Sequence, residues 1–153
     1  MKDCIDQRAF SYRSDPAVPE FDDSTPIAFM DGECVLCCFG ARAISKLDRS
    51  GDIRICPVQS SLGQAVLCHF EMAPDDPESW LYLEQGKAYT GFDAMIRIAL
   101  YADCARFLAL AVARLPQSSR AWLYRRIARN RFWFGRTDIC KRPSPDLLAR
   151  LIR

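Results

Sequence analysis

The stretch that decides the fold is Pro26-Ile27-Ala28-Phe29-Met30-Asp31-Gly32-Glu33-Cys34-Val35-Leu36-Cys37, residues 26–37. Its apolar run from Ile27 to Met30 is typical of a buried strand, and Asp31-Gly32 predicts the turn that ends the strand. From Cys34 to Leu47 the apolar residues recur at helical spacing. The stretch therefore predicts a strand, a turn and a helix, with a Cys-x-x-Cys motif where the helix begins.

The two cysteines of this motif are candidate catalytic residues. A helix N-terminus carries unpaired amide N–H groups and a partial positive charge, and both stabilise a thiolate. Cys34 has this position, and Cys37 follows almost one helical turn later, within reach of a mixed disulfide on Cys34. The spacing therefore favours Cys34 as the nucleophile and Cys37 as the resolving thiol, and it predicts that Cys37 is the less exposed of the two.

Two carboxylates, Asp31 and Glu33, flank the turn before the motif. Their charge opposes thiolate formation, but a carboxylate beside a thiol can also transfer protons. We therefore include Asp31 among the candidate catalytic residues, with helix capping as the alternative role.

A second strand is predicted over Ile53–Val58, and a helix follows it from Ser60 or Ser61 to about Phe70. Residues 80–83 and 88–89 are predicted to form a hairpin that turns at Gly86. Three further helices are predicted, over about 93–101, over about 107–115 and from Ser118 or Ser119 onward. The order is β-α-β-α-β-β-α with extra helices at the end. It predicts an α/β fold of the thioredoxin-like type, a mixed sheet flanked by helices.

The chain of 153 residues is half hydrophobic, which suits one domain with a real core. The stretch from Met1 to about Thr25 lacks a sustained apolar period, so we expect a loosely ordered arm before a domain over 26–153. That stretch does not resemble a secretory signal peptide. No window approaches the roughly 18 apolar residues that span a bilayer. These features predict a cytoplasmic protein without a transmembrane segment.

Eight cysteines in a chain without an export signal favour reactive or metal-binding thiols over a structural disulfide framework. The alternative to redox chemistry is a zinc or iron–sulfur site that joins Cys34 and Cys37 to two of Cys38, Cys56, Cys68 and His69. No second Cys-x-x-Cys or Cys-x-x-His pair supports it, so the leading prediction includes no cofactor.

The other cysteines and the single histidine have simpler interpretations. By their apolar contexts we expect Cys38, Cys56, Cys68 and Cys104 in the core. By their terminal positions we expect Cys4 and Cys140 to be exposed. A Cys–His hydrolase built on His69 is not expected, because no partner that would orient its ring is evident.

Charge is unevenly distributed along the chain. Residues 1–95 hold 8 Lys/Arg against 16 Asp/Glu (−8), and residues 96–153 hold 13 against 3 (+10). An adaptor that docks its basic helical tail on an acidic partner, or peripheral contact with a membrane surface, stays open as an alternative. Aromatic residues over 120–136 fit core spacing, so we expect no nucleic-acid binding. The pattern leaves the oligomeric state undetermined.

The motif Asp31-Gly32-Glu33-Cys34-Val35-Leu36-Cys37 resembles the signature of the DCC family of thiol-disulfide oxidoreductases, named for its Asp, Cys and Cys. Tyr89–Ala94 resembles the second motif of that family, and Ile127–Arg131 with Phe134-Gly135 resembles the third. The resemblance implies a thioredoxin-like fold and redox use of Cys34 and Cys37. It does not name a substrate, and the dithiol chemistry itself predicts a protein or low-molecular-weight thiol or disulfide as the partner. Unlike in ordinary thioredoxins, no proline directly precedes the Trp80 strand, and Pro77 is the nearest.

Overall fold

The computed structural model describes residues 8–73, 80–102, 106–130 and 144–152, with Leu108 described by its backbone alone. The elements are a 3-10 helix η1 (Ser11–Ser14), β1 (Ile27–Met30), α1 (Val35–Leu47), β2 (Arg54–Pro57), α2 (Ser61–His69), β3 (Leu81–Glu84), β4 (Lys87–Thr90), α3 (Gly91–Tyr101), α4 (Arg106–Ala113), α5 (Gln117–Arg129) and α6 (Pro145–Arg150).

The four strands form one mixed sheet in the order β2-β1-β3-β4. β1 pairs parallel with β2 and antiparallel with β3, and β3 pairs antiparallel with β4. The parallel pair needs a crossover, which α1 provides. This sheet with its flanking helices confirms the predicted α/β fold and the predicted order of elements, and it is consistent with a thioredoxin-like arrangement.

All four residues of β1 are buried because both faces of the sheet are covered. Ile27 and Phe29 pack into one apolar cluster with residues of α2, while Ala28 and Met30 pack into a second cluster with residues of α1 and α3. Successive side chains of a strand point to opposite faces of the sheet, so β1 contributes to two separate layers of the core. The motif that follows β1 is therefore attached to the most deeply buried strand of the sheet.

The predicted hairpin is confirmed, and its connection is only two residues long. Gln85 and Gly86 both have positive φ, 49° and 74°, which is the backbone that a tight type I′ turn requires. Gly86 is also needed for space, because a Cβ there would lie 2.5 Å from the ring of Phe10. The N-terminal segment thus packs on the hairpin turn.

The described part of that segment, residues 8–25, is anchored to the core at Tyr12, within the stretch Met1–Thr25 for which a loosely ordered arm is predicted. Tyr12 is buried in the cluster between the sheet and α2, and its hydroxyl donates to Asp23 Oδ2 at 2.6 Å. Burial and this carboxylate raise the pKa of Tyr12 above its ordinary value. One deeply placed aromatic side chain fixes the segment, and a single residue of this kind leaves no periodic signal in the sequence.

The helices after the sheet differ in detail from their predicted bounds. α5 begins at Gln117 with Pro116 as its N-cap, so the predicted capping by Ser118 or Ser119 is wrong. Proline suits the start of a helix because it has no amide N–H to be left unpaired. None of the helices in the described ranges is long and apolar enough to cross a membrane.

The last described helix fixes the far end of α1. Arg150 of α6 forms an ion pair with the buried Asp48 carboxylate and donates a second hydrogen bond to the Asp48 carbonyl at 2.7 Å. Asp48 also accepts from the Ile53 amide at 3.0 Å and from Ser50 at 2.6 Å. Burial alone would raise the pKa of Asp48, but these hydrogen bonds and the arginine hold it below its ordinary value.

Candidate functional site

The motif lies where the sequence predicts it, between the buried strand and the first long helix. Cys34 is the N-cap residue of α1, in extended backbone conformation, and its side chain accepts no capping hydrogen bond. Its carbonyl accepts the Cys38 amide at 2.9 Å, which begins the helical ladder. The Cys34 side chain therefore does not cap the amide N–H groups at the N-terminal end of α1.

A small hydrogen-bond network holds the turn that leads into the motif. Asp31 Oδ1 accepts from the Glu33 amide at 2.8 Å and from Gln59 Nε2 at 2.7 Å. The other end of the same Gln59 amide accepts from the Gly32 N–H at 3.1 Å. Gln59, from the loop after β2, was missed by sequence reasoning because it lies 28 residues from Asp31 and carries no local signal.

The two motif cysteines are free thiols with different exposure. Cys34 is fully buried, with 0% of its surface exposed, while Cys37 is partly exposed. The prediction that Cys37 is the less accessible thiol is therefore wrong. A position near a helix end brings exposure only when no other part of the chain covers that end, and spacing along one helix cannot show such coverage.

Cys37 lines an apolar cavity of about 80 Å³, which we call the Cys37 cavity. Its walls come from β1, α1, α3, α5 and the residue before β3: Met30, Leu36, Cys37, Gly40, Trp80, Met95, Tyr124, Ile127 and Ala128. Cys37 contributes the one thiol among these side chains. Sequence reasoning placed several of these residues in the core and did not anticipate a cavity, because the walls come from distant segments.

The wall that α5 contributes to the Cys37 cavity is tied to α3. Arg120 forms an ion pair with Asp93, and both side chains are largely buried. The rings of Phe92 and Tyr124 meet edge to face, with centroids 6.0 Å apart. These contacts fix Tyr124 relative to the sheet, so the cavity has a defined shape in the absence of any ligand.

Cys38, next to the motif, is buried as predicted, but it is disulfide-bonded and not a thiol. Its partner is none of the four free cysteines Cys34, Cys37, Cys56 and Cys68, and lies outside the described residues. Its sulfur is 3.5 Å from the Gly32 carbonyl, a packing contact because an oxidised sulfur has no proton to donate. The sequence favours cysteines that are all thiols, and this prediction is wrong for Cys38.

The other described cysteines fall into two classes. Cys56 is buried as predicted, with its sulfur 3.3 Å from Ser60 Oγ, and burial raises the pKa of its thiol, which keeps it protonated. Cys68 is exposed, so its predicted place in the core is wrong. On α2 the buried face is formed by its neighbours Val66 and Leu67, and Cys68 follows on the outer side. Cys4, Cys104 and Cys140 lie outside the described residues, as does Pro77.

His69 does have a partner that orients its ring, contrary to the prediction. Its Nδ1 lies 2.7 Å from Asp15 Oδ2, and its Nε2 lies 2.9 Å from Ser11 Oγ. The carboxylate is itself affected, because the hydrogen bond with His69 lowers the pKa of Asp15. These bonds join η1 and the following residue to α2, which gives the histidine a role in anchoring the N-terminal segment.

The metal-site alternative needs several of these residues to converge. Within the described ranges, no group of three or more His, Cys, Asp or Glu residues is arranged to hold a metal ion. Cys38 is oxidised, Cys68 is exposed, and His69 is engaged with Asp15 and Ser11. The ligands proposed from the sequence are thus occupied elsewhere or separated.

Comparison with known proteins agrees with the motif. The family model described as DCC1-like thiol-disulfide oxidoreductase matches residues 28–136. The chain is 34% identical over 122 residues to the DCC family protein At1g52590, chloroplastic, of Arabidopsis thaliana, covering 78% of this chain and 71% of that protein. It is 31% identical over 127 residues to the uncharacterized protein YuxK of Bacillus subtilis (strain 168), covering 82% and 93%. No solved structure matches it. The extent of the family match and the coverage of both relatives place the chain in the DCC1-like thiol-disulfide oxidoreductase family.

Proposed function

We propose that the protein catalyses dithiol–disulfide exchange, with Cys34 and Cys37 as its reversible redox pair. The observation that carries this proposal is the placement of two free thiols one helical turn apart at the start of α1, directly after the most buried strand. Family membership supports the general redox function. Exchange of this kind needs only the two sulfurs and a thiol or disulfide substrate, and no bound cofactor.

The exposure of the two thiols favours an order of attack opposite to the one predicted from spacing. A substrate disulfide can reach Cys37 through the cavity, whereas Cys34 is fully buried. In the proposed first step, the Cys37 thiolate attacks one substrate sulfur, the substrate S–S bond breaks, and the released substrate thiolate takes up a proton. Cys37 is then joined to the other half of the substrate.

In the second step, the Cys34 thiolate attacks Cys37 Sγ in this mixed disulfide. A Cys34–Cys37 bond forms, and the second substrate thiolate leaves and is protonated. The substrate has gained two electrons and two protons, and the dithiol has lost them. The reverse sequence oxidises a substrate dithiol. The amide N–H groups at the start of α1 support Cys34 as the thiolate of this second step.

Asp31 completes the proposed catalytic set, as a positioning residue. Its hydrogen bonds to Glu33 and Gln59 support a role in holding the turn that places Cys34 at the helix start. Asp31→Asn keeps an oxygen that can accept these bonds but cannot carry a proton. We therefore expect this variant to retain the exchange rate and its pH profile. A lost or shifted pH profile would instead assign proton transfer to Asp31.

The order of attack is tested by trapping with the chromogenic disulfide DTNB, in a Cys68→Ser background that removes an exposed thiol outside the motif. Cys34→Ser should retain a mixed disulfide on Cys37, and Cys37→Ser should retain much less on Cys34. Peptide mapping by mass spectrometry identifies the modified cysteine. A stable adduct on Cys34 alone would restore the order predicted from spacing.

The redox pair itself is tested by equilibrating the full chain with glutathione buffers of different ratio. We expect reversible formation of a Cys34–Cys37 disulfide, and the midpoint gives its potential. Failure to form this disulfide at any ratio would contradict the proposed function. Equal loss of bound metal in both serine variants would support the metal-site alternative instead.

We also propose that the protein acts in the cytoplasm on protein or small thiol substrates and does not bind nucleic acid. Four of the five described cysteines are thiols, which supports a reducing compartment, whereas the oxidised Cys38 does not. The Arabidopsis relative is named as chloroplastic, so subcellular fractionation is the direct test of location. A gel-shift assay at moderate salt should detect no complex with RNA or DNA, and salt-dependent binding would contradict this part.

A further inference from the structure

We infer that the Cys37 cavity selects the substrate, by receiving an apolar side chain next to the cysteine of a peptide or protein disulfide. This inference rests on the proposed function, because it takes Cys37 as the thiol that meets the substrate. It adds the chemical class of that substrate, which family membership does not define.

The nature of the occupant follows from the chemistry of the cavity walls. A thiol in the wall indicates an occupant with a sulfur that can exchange, and the remaining lining side chains are apolar or aromatic. None of the lining residues is charged, so the cavity offers no ion pair to the carboxylates of glutathione. An apolar group beside the substrate sulfur would instead remove its surface from water on entering.

The size of the cavity limits what enters. A volume of about 80 Å³ suits one aliphatic side chain and not a folded domain or a large aromatic ligand. The rest of a substrate must therefore lie outside, which fits a peptide segment that inserts a single side chain. The ion pair between Arg120 and Asp93 and the contact of Phe92 with Tyr124 hold this volume open before binding.

The test compares two peptide disulfides that differ only beside the cysteine, the symmetric disulfides of acetyl-Leu-Cys-Leu-amide and acetyl-Ser-Cys-Ser-amide, with glutathione disulfide as a third probe. We measure the second-order rate of exchange with the reduced full chain by quenched-flow mass spectrometry. We expect the leucine peptide to react about tenfold faster than the serine peptide, the usual gain from filling an apolar pocket.

Two variants connect this preference to the cavity. Gly40→Ala adds a methyl group to the wall, 3.1 Å from the flexible end of Met30, and alanine suits a helix better than glycine, so the fold should persist. Met95→Glu places a charge on the wall at a position that is already 37% exposed. Both should lower the exchange rate with the leucine peptide several-fold more than the rate with the serine peptide, so that the ratio of the two rates falls.

Phe39→Ala serves as the matched control. Phe39 lies next to Gly40 on α1, is 72% exposed and does not line the cavity. It should leave the preference intact. Equal rates for the two peptides, or a preference for glutathione disulfide, would overturn the inference while the redox pair still exchanges. If no disulfide reacts at Cys34 or Cys37, the proposed function fails with it, so the two failures are distinguishable.

Discussion

The two ends of α1 differ in their contacts. At the C-terminal end, Asp48 is buried and accepts hydrogen bonds from Ile53, Ser50 and Arg150. At the N-terminal end, the Cys34 side chain makes no capping hydrogen bond and Cys37 lines a cavity. A carboxylate at a helix C-terminus opposes the helix dipole, and the arginine offsets this cost. One end of the helix is thus tied to α6 by a buried ion pair, while the other carries two cysteines that are not disulfide-bonded. The comparison separates an end of α1 that is fixed by buried polar contacts from the end that carries the candidate redox pair.

The largest expected effect is the loss of the anchor. Arg150→Met leaves the Asp48 carboxylate buried and unpaired, and the free energy of unfolding should fall by about 3–5 kcal/mol, as is typical for breaking one side of a buried ion pair. Urea denaturation followed by circular dichroism measures this loss.

The control for this prediction is Arg13→Met. The Arg13 side chain is 58% exposed and pairs with Asp23 at 2.7 Å, so its removal should cost no more than about 1 kcal/mol. The double variant Arg150→Met with Asp48→Leu should recover part of the loss, because no buried charge remains unpaired. Equal losses for the Arg150 and Arg13 variants would show that the buried ion pair with Asp48 contributes no more to stability than an exposed one.

A smaller effect on the same anchor should appear with pH. The pKa of Asp48 is lower in the folded protein than its ordinary value of 3.8, so its contribution to stability is complete above that value and is lost as pH falls through the folded pKa. Between pH 6 and pH 3, the wild-type protein should therefore lose more stability than Asp48→Asn, which has no proton to gain. Parallel curves from urea denaturation would contradict the prediction.

The reactive end of the helix is tested by alkylation. In the reduced native protein, Cys37 should react with iodoacetamide at least about tenfold faster than Cys34, which must wait for local opening. Cys68 and Cys56 are matched controls in the same sample, one exposed and one buried with a raised pKa. Peptide mapping after short labelling times gives the four rates. Labelling of Cys34 before Cys37 would show that the helix start is open in solution.

The part of the fold that sequence predicts well is the part whose signals are local. The strand, turn and helix over residues 26–47 follow one another without interruption, and the Gln85-Gly86 turn is determined by its own two residues. The anchor is different, because Asp48 and Arg150 are 102 residues apart and neither residue type identifies its partner. The exposure of Cys34 and Cys37 likewise depends on distant segments, so spacing identified the pair but gave the wrong order of accessibility.

The smallest expected effect is the loss of stability when a helix loses the capping hydrogen bond at its N-terminus. The N-cap of α2, Ser60, accepts the Gly63 amide at 3.0 Å, the bond that Cys34 does not make in α1. Ser60→Ala should therefore lower the free energy of unfolding by about 1 kcal/mol, the usual contribution of an N-cap side chain. Ser61→Ala, at the exposed neighbouring position, should change it by less than half as much. A negligible loss for Ser60→Ala would mean that water satisfies these amides equally well. The missing capping hydrogen bond at Cys34 would then lower the free energy of unfolding very little, so a cysteine in place of a capping residue would not destabilise α1.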